Sequence, residues 1–269
     1  MKEIESNKQA WGQVAEEHYY YFKKALLEGT YQLNKHITSE IGNLAGKKII
    51  HLQCNTGADT IMLAKMGASE VIGVDLVPDN VFYAKKLAIE VGVSNVDFIE
   101  SDIMELMEKH NEKYDVVFIS EGAIGWLPDM VRWGQTVRHL LKDDGFVYIF
   151  EGHPFMLMFD ESKLSDGITA LKYPYFKKEP DIDNTIGGYA SEPKSGVETF
   201  FWMYKVSDVL NPLISAGLHI EYFNEFQENF YDLGGSKRVD GNLYNFDYNK
   251  GLFPMSFSLK ASVYIKAKE

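Results

Sequence analysis

Residues 49–60 read IIHLQCNTGADT. The stretch opens as an apolar run of the kind that is buried on both faces of a parallel sheet. It turns over at Asn55-Thr56-Gly57 and restarts as a helix. A turn of this type presents backbone N–H groups and a helix N-terminus, the place where α/β proteins hold nucleotide-like ligands. Such loops are usually rich in glycine, and this one keeps only Gly57. Whether it is a ligand loop or only a turn governs how the rest of the chain is read.

Working outward, strand and helix signals alternate. A helix is expected over 58–66 with Gly67 as its stop, followed by a strand EVIGVD at 70–75. Pro78 suits a first helical turn, Val81, Ala84, Ala88 and Val91 mark one helical face, and Gly92 ends it. VDFIE (96–100) and YDVVFIS (114–120) read as the third and fourth strands. Trp133, Val137, Leu140 and Leu141 give a helical stripe, and the DDG of 143–145 is expected to turn the chain into FVYIFE (146–151). This alternation argues for a parallel sheet with helices on both faces.

The rhythm breaks outside that block. Residues 8–28 read as one aromatic-rich helix, which places Trp11 and His18 on a common face at i, i+7. Residues 154–204 are dense in aromatics and prolines and hold Gly187-Gly188, so they are expected to form an insertion packed over the sheet edge. A helix returns at Ser207, with Pro212 expected to kink it or shift its start. LHIEYFNEF (218–226) reads as a sixth strand, residues 227–254 as a long loop, and Phe257, Leu259, Ala261, Val263 and Ile265 alternate through a last strand.

The chain has 269 residues, 45% of them apolar, enough for one large core. Its net charge of −12 disfavours phosphate backbones and anionic lipid as partners. The single cysteine, Cys54, forbids an internal disulfide and fits a reducing compartment. The N-terminus carries no apolar signal segment, and a soluble cytoplasmic protein is expected. No histidine pair has metal-ligand spacing, and no serine sits in a nucleophile elbow, so no metal is expected.

Ligands in an open α/β sheet bind beyond the carboxyl ends of its strands, where acids and polar groups recur here. Asp75 ends the second strand, 18 residues beyond Gly57, where an acid accepts the hydroxyls of a ribose. Asp102 follows the third strand, placed to accept from an exocyclic adenine amine while the Ile103 N–H meets a ring nitrogen. Ser120 and Glu121 end the fourth strand, near the reactive end, and His153 ends the fifth as a candidate general base. Each has a plainer reading. Asp59, Asp75 and Asp102 all suit helix starts, Cys54 suits packing, and a strand-end histidine is more often structural.

Taken together, these segments resemble the class I S-adenosylmethionine-dependent methyltransferases. IIHLQCNTGADT is similar to the family's first motif, VIGVDLVPDNVFYAKK to its second and ESDIMEL to its third. YDVVFISEGAIGWLPDM and HLLKDDGFVYIFEGHPF are similar to its fourth- and fifth-strand segments, and WGQVAEEHYY to an N-terminal helix that closes over the cofactor's methionine end. Within the family, HLQC and EGHP resemble a bacterial subgroup of mostly unassigned substrate. The resemblance implies a Rossmann-like, mostly parallel seven-stranded sheet with helices on both faces and a final antiparallel strand. It further implies a single domain over 1–269, with an N-terminal helical lid at about 1–45 and an insertion at about 154–204. It implies S-adenosylmethionine as cofactor, held by Trp11, His18, Gln53, Cys54, Asn55, Gly57, Asp75, Leu76, Asp102, Ile103, Ser120 and Glu121. The implied reaction is methyl transfer to a small-molecule acceptor, by a monomer or homodimer.

The chain departs from that pattern in the first motif. His51 replaces the usual acid, which often orients the cofactor's ammonium, and Gln53 and Asn55 replace two glycines. Asn tolerates positive φ better than most residues, and a loop that binds through its backbone needs its side chains only to keep clear. A dinucleotide dehydrogenase is the competing fold, but Q-C-N-T-G-A at 53–58 does not supply G-x-G-x-x-G. Two other functions stay open: a protein that binds the cofactor without turnover, and an RNA methyltransferase, which the acidic charge opposes.

Overall fold

In a computed structural model, which describes residues 1–263, three helices precede the sheet. They are α1 (Lys2–Gly12), α2 (Ala15–Leu27) and α3 (Lys35–Glu40). The expected single helix over 8–28 is therefore two, broken after Gly12 at Gln13 and Val14. Trp11 and His18 lie on different helices, yet their rings still meet edge to face at 5.9 Å.

The alternating block follows as β1 (Lys48–Leu52), α4 (Ala58–Lys65), β2 (Glu70–Asp75), α5 (Pro78–Glu90), β3 (Val96–Glu100), α6 (Leu106–Lys109), β4 (Tyr114–Ser120), α7 (Met130–Leu140) and β5 (Leu141–Gly152). Four strands match their sequence boundaries closely. β5 does not: it starts straight after α7, and DDG lies inside it. The pairing with β4 shifts register between Tyr114 and Val116, beside Gly145, whose added Cβ would stand 2.9 Å from the Tyr114 carbonyl.

The remaining elements are α8 (Glu161–Leu164), a hairpin of β6 (Asp181–Ile186) and β7 (Lys194–Phe201), α9 (Val206–Ser215), β8 (Leu218–Phe226), a hairpin of β9 (Lys237–Asp240) and β10 (Leu243–Asn245), and β11 (Ser256–Val263). Ile265, expected in the last strand, lies outside the described residues. The seven-stranded sheet has the order β3-β2-β1-β4-β5-β11-β8, with β11 antiparallel to both neighbours.

Successive residues of the central strands serve opposite cores. Ile50, Leu52, Val117 and Ile119 pack with Trp133 and Val137 of α7 and Leu213 of α9. Ile49, Val116 and Phe118 pack with Ile37 of α3 and Leu63 of α4. Both faces are apolar because both are covered, and this explains the unbroken hydrophobic runs. α9 runs on through Pro212. It approaches α7 at Gly134, where a Cβ would stand 2.7 Å from the Pro212 carbonyl oxygen.

The β6–β7 hairpin does not pack over a sheet edge as expected. It lies on α1 and on the turn after β4. Asn7 of α1 donates to Phe200 O and accepts from Phe200 N, both at 2.8 Å. The Trp202 N–H donates to Gly125 O at 2.7 Å. These bonds hold α1 and the hairpin together above the strand ends.

Candidate active site

The sheet order reverses between β1 and β4, and the carboxyl ends of the strands there open into a cleft of about 1810 Å³. Its floor is the loop that opens α4. Gln53, Asn55 and Gly57 adopt φ of 57°, 50° and 81°, so every second residue is left-handed. Two of the three are not glycine, an uncommon state that neighbouring bonds support. Gln53 Nε2 donates to Ala123 O at 2.8 Å, and Asn55 Oδ1 accepts from Thr56 N at 2.6 Å. At Gly57 the limit is also steric, since a Cβ would stand 2.6 Å from the Phe98 ring and 3.0 Å from the Ala84 methyl. Cys54 is buried in the cluster with Phe98, where burial and then the Asp75 charge push its thiol well above its ordinary pKa. Its packing reading is the one the geometry favours.

Asp75 ties β2 to this loop. One carboxylate oxygen accepts from Asn55 N at 2.8 Å; the other accepts from Val77 N at 2.9 Å and Asn80 Nδ2 at 3.1 Å. Burial raises its pKa to about 6 against the pull of those bonds. Asp102 Oδ1 accepts from Met104 N at 2.8 Å and caps a short 3-10 turn, and Asp102, Ile103, Asp75 and Leu76 all border the cleft.

At the end of β4 a hydrogen-bonded chain crosses the floor. His51 Nδ1 lies 2.9 Å from Thr60 Oγ1, and its Nε2 lies 3.4 Å from Ser120 Oγ. Ser120 Oγ donates to Asp59 Oδ2 at 2.7 Å, and Tyr31 OH donates to Asp59 Oδ1 at 2.5 Å. Burial lowers the His51 pKa to about 4, so its ring is neutral near pH 7. Glu121 is left-handed at φ 44° and accepts from the buried Asn34 side chain at 2.5 Å. Burial, and next the Asp59 charge, raises its carboxyl well above the usual range. Glu151, inside β5, accepts from the N–H groups of Gly122, Ala123 and Ile124 at 2.8, 2.6 and 2.9 Å and so shapes the turn beyond Glu121.

Trp11 borders the cleft and meets Trp126 edge to face at 5.2 Å. Tyr189, at the hairpin tip, also faces the cleft, its hydroxyl 3.5 Å from Asn55 Nδ2. The far wall is Met156, Leu157, Phe230, Tyr231 and Leu233.

Two expected residues do not join this set. His18 is fully buried among Trp11, Phe22 and Tyr189, its Nδ1 3.3 Å from Asn55 Oδ1, and it does not border the cleft. His153 does not border the cleft either. Its Nδ1 accepts from Phe155 N at 3.0 Å, its Nε2 faces Glu225 at 2.9 Å, and it packs against Phe257. The expectation that it faces the acceptor is thus not met: the chain turns back at Pro154 and folds the ring against β8 and β11. Conversely, Tyr31, Phe230 and Tyr231 border the cleft, and the buried Asn34 reaches Glu121 at it, although no motif announced them. Asp59, expected only as a helix-start acid, proves central.

A family model described as a methyltransferase domain matches residues 43–170, the segment that builds this floor. Over that segment the chain is similar to a methyltransferase domain, and its fold is that of S-adenosylmethionine-dependent methyltransferases. A ubiquinone biosynthesis O-methyltransferase of Salmonella paratyphi A is 32% identical over 113 residues, covering 42% of this chain and 46% of that one. The chain thus spans about half the length of the curated relatives it matches. A putative S-adenosylmethionine-dependent methyltransferase from Listeria monocytogenes superposes with a TM-score of 0.58 at 18% identity, covering 86% of this chain and 97% of that one. Another, from Mesorhizobium loti, gives 0.56 at 17%, covering 84% and 95%. At that identity the structural likeness speaks for the fold, and the residues of the floor must be argued from their own geometry.

Proposed function

We propose that the protein transfers a methyl group from S-adenosylmethionine to a small-molecule acceptor in the cytoplasm. The observation that carries this is the alternation of left-handed residues in the loop after β1, clamped by Asp75. Such a floor turns backbone N–H groups toward a ligand at the switch point of the sheet. The residues fit the cofactor. Thr56 is fully buried at the cleft, and its hydroxyl finds no partner among the described residues.

Asp75, with Leu76 beside it, takes a ribose hydroxyl on the oxygen that its own three bonds leave half free. Asp102 and the Ile103 N–H take the adenine. Ser120 and Glu121 border the methionine end, and Trp11 and Tyr189 cover it. The bound cofactor supplies an electrophilic methyl on a sulfonium sulfur. The protein's work is to align the acceptor with that methyl and to exclude water.

The far wall of Met156, Leu157, Phe230, Tyr231 and Leu233 suits an acceptor with an apolar face. The cleft, at about 1810 Å³, exceeds the roughly 300–1,000 Å³ of an ordinary small-molecule site. That leaves room for an acceptor beside the cofactor and favours turnover over a protein that only senses S-adenosylmethionine. No helix among the described residues is long and apolar enough to cross a membrane.

Calorimetry with S-adenosylmethionine, S-adenosylhomocysteine and, as control, NAD tests the cofactor. Micromolar binding of the first two and none of NAD is expected. Acceptor-dependent release of S-adenosylhomocysteine in a screen of small apolar alcohols, phenols and amines then separates catalysis from binding alone.

A further inference from the structure

The cofactor assigned above carries an α-ammonium as well as a sulfonium, so its amino-acid end needs an acidic partner. Position 51, on the strand, does not provide one. His51 is neutral near pH 7, and both of its ring nitrogens face hydroxyls. Of the three Lys and Arg residues that border the cleft, Lys8 pairs with Glu100, Lys35 pairs with Asp240, and Arg238 donates to Gly241 O.

The geometry points to Asp59 as the group that receives the cofactor's α-ammonium, the acid having moved from the strand end to the first turn of α4; this rests on the cofactor reading above. Three observations support it. Asp59 borders the cleft, and Ser120 and Tyr31 fix one oxygen each at 2.7 and 2.5 Å. A carboxylate oxygen accepts about two hydrogen bonds, so each keeps a lone pair for a further donor. Second, Glu121 is a poorer partner for a cation. Its carboxyl is driven toward the neutral form by burial and by Asp59 itself, and it already accepts from Asn34. Third, the buried Thr56 hydroxyl at the same cleft has no partner among the described residues, as a group awaiting a polar ligand would. His51 then acts as a positioning residue: it holds Ser120, which holds Asp59.

The probes are S-adenosylhomocysteine and its deaminated analogue, which lacks only the ammonium, with binding read by calorimetry on the full chain. The unaltered protein should prefer S-adenosylhomocysteine by at least tenfold. Asp59→Asn should erase that preference while leaving the analogue's affinity within about twofold. Tyr31→Phe, which keeps the carboxylate and removes one of its donors, should reduce the preference by a few-fold. Equal binding of both ligands by the unaltered protein, or a preference that survives in Asp59→Asn, would overturn the assignment. So would a parallel loss of both ligands in Asp59→Asn, which would mark a scaffold role. Failure of the unaltered protein to bind either ligand would instead refute the cofactor reading.

Discussion

The two walls of the cleft are built in opposite ways. The floor comes from strand ends contiguous in the sheet, and its polar groups are fixed by bonds within the chain. Asp75 alone accepts three, from Asn55, Val77 and Asn80. The roof is assembled from segments remote in sequence. Asn7 meets Phe200 across 193 residues, and the apolar wall joins Met156 to Leu233. A floor that must present a constant ligand can be rigid and written in local motifs. A roof that must fit one acceptor is free to be built from whatever long-range packing the chain allows. Damage to the floor should therefore show in cofactor affinity and global stability, and damage to the roof in local opening.

The largest expected effect is at Gly57. Valine there meets the Phe98 ring at the 2.6 Å Cβ position and must hold φ near 81°. Strain and overpacking together should cost about 3 kcal/mol or more in urea unfolding, with loss of S-adenosylhomocysteine binding. A fully stable Gly57→Val protein would show the floor to be far more compliant than it looks.

Asp75→Ala comes next. Losing the charge-assisted bond to the ribose should weaken S-adenosylhomocysteine at least tenfold, about 1.4 kcal/mol, in calorimetry. Unchanged affinity would take Asp75 out of the site and leave it as a clamp on the loop.

A pH series sharpens the same point. The folded-state pKa of Asp75 is raised from its unfolded value to about 6, so its proton favours the folded state. Its share of stability is therefore full below about pH 4 and is lost as pH rises through 6. Binding runs the other way, because the ribose hydroxyl needs the carboxylate. S-adenosylhomocysteine affinity should fall as pH drops through about 6, and Asp75→Asn should flatten that profile. His51 opposes Asp75 in stability. Its pKa is depressed to about 4, so its share is present above about 6.5 and is lost as pH falls toward 4. The stability that His51→Gln costs in urea unfolding should accordingly grow as pH rises from 4 to 6.

How much of this was legible follows from the same contrast. Strands β1 to β4 could be read because each is a short apolar run between turn residues, and the order of Gly57, Asp75 and Asp102 because it follows the strand order. The left-handed state of Gln53 was not legible, since its support is the distant Ala123 carbonyl. The break after Gly12 was hidden because aromatics continue across it. His153 misled because the strand end that carries it turns away at Pro154, and no local pattern reports which way a chain leaves a sheet. Tyr31 and Asn34 sit in a segment with neither period nor motif; only the fold brings them to Asp59 and Glu121.

The smallest expected effect on ligand affinity comes from the roof. Asn7→Leu removes both bonds to Phe200 and leaves a buried N–H and C=O of β7 without partners. An unpaired buried polar group costs roughly 1–3 kcal/mol. Here the cost should appear as local rather than global opening, because among the described residues the hairpin strands pair only with each other and rest chiefly on α1, with lesser contacts to α2 and the turn after β4. Hydrogen exchange should therefore quicken by about tenfold or more at the amides of Phe200 and Phe201, with the amides of β1 and β2 unchanged. S-adenosylhomocysteine affinity should move less than about threefold, since Asp75, Asp102 and Asp59 keep their own supports. If β1 and β2 opened together with the hairpin, the two walls would form one cooperative unit, and the division between a rigid floor and an adaptable roof would fail.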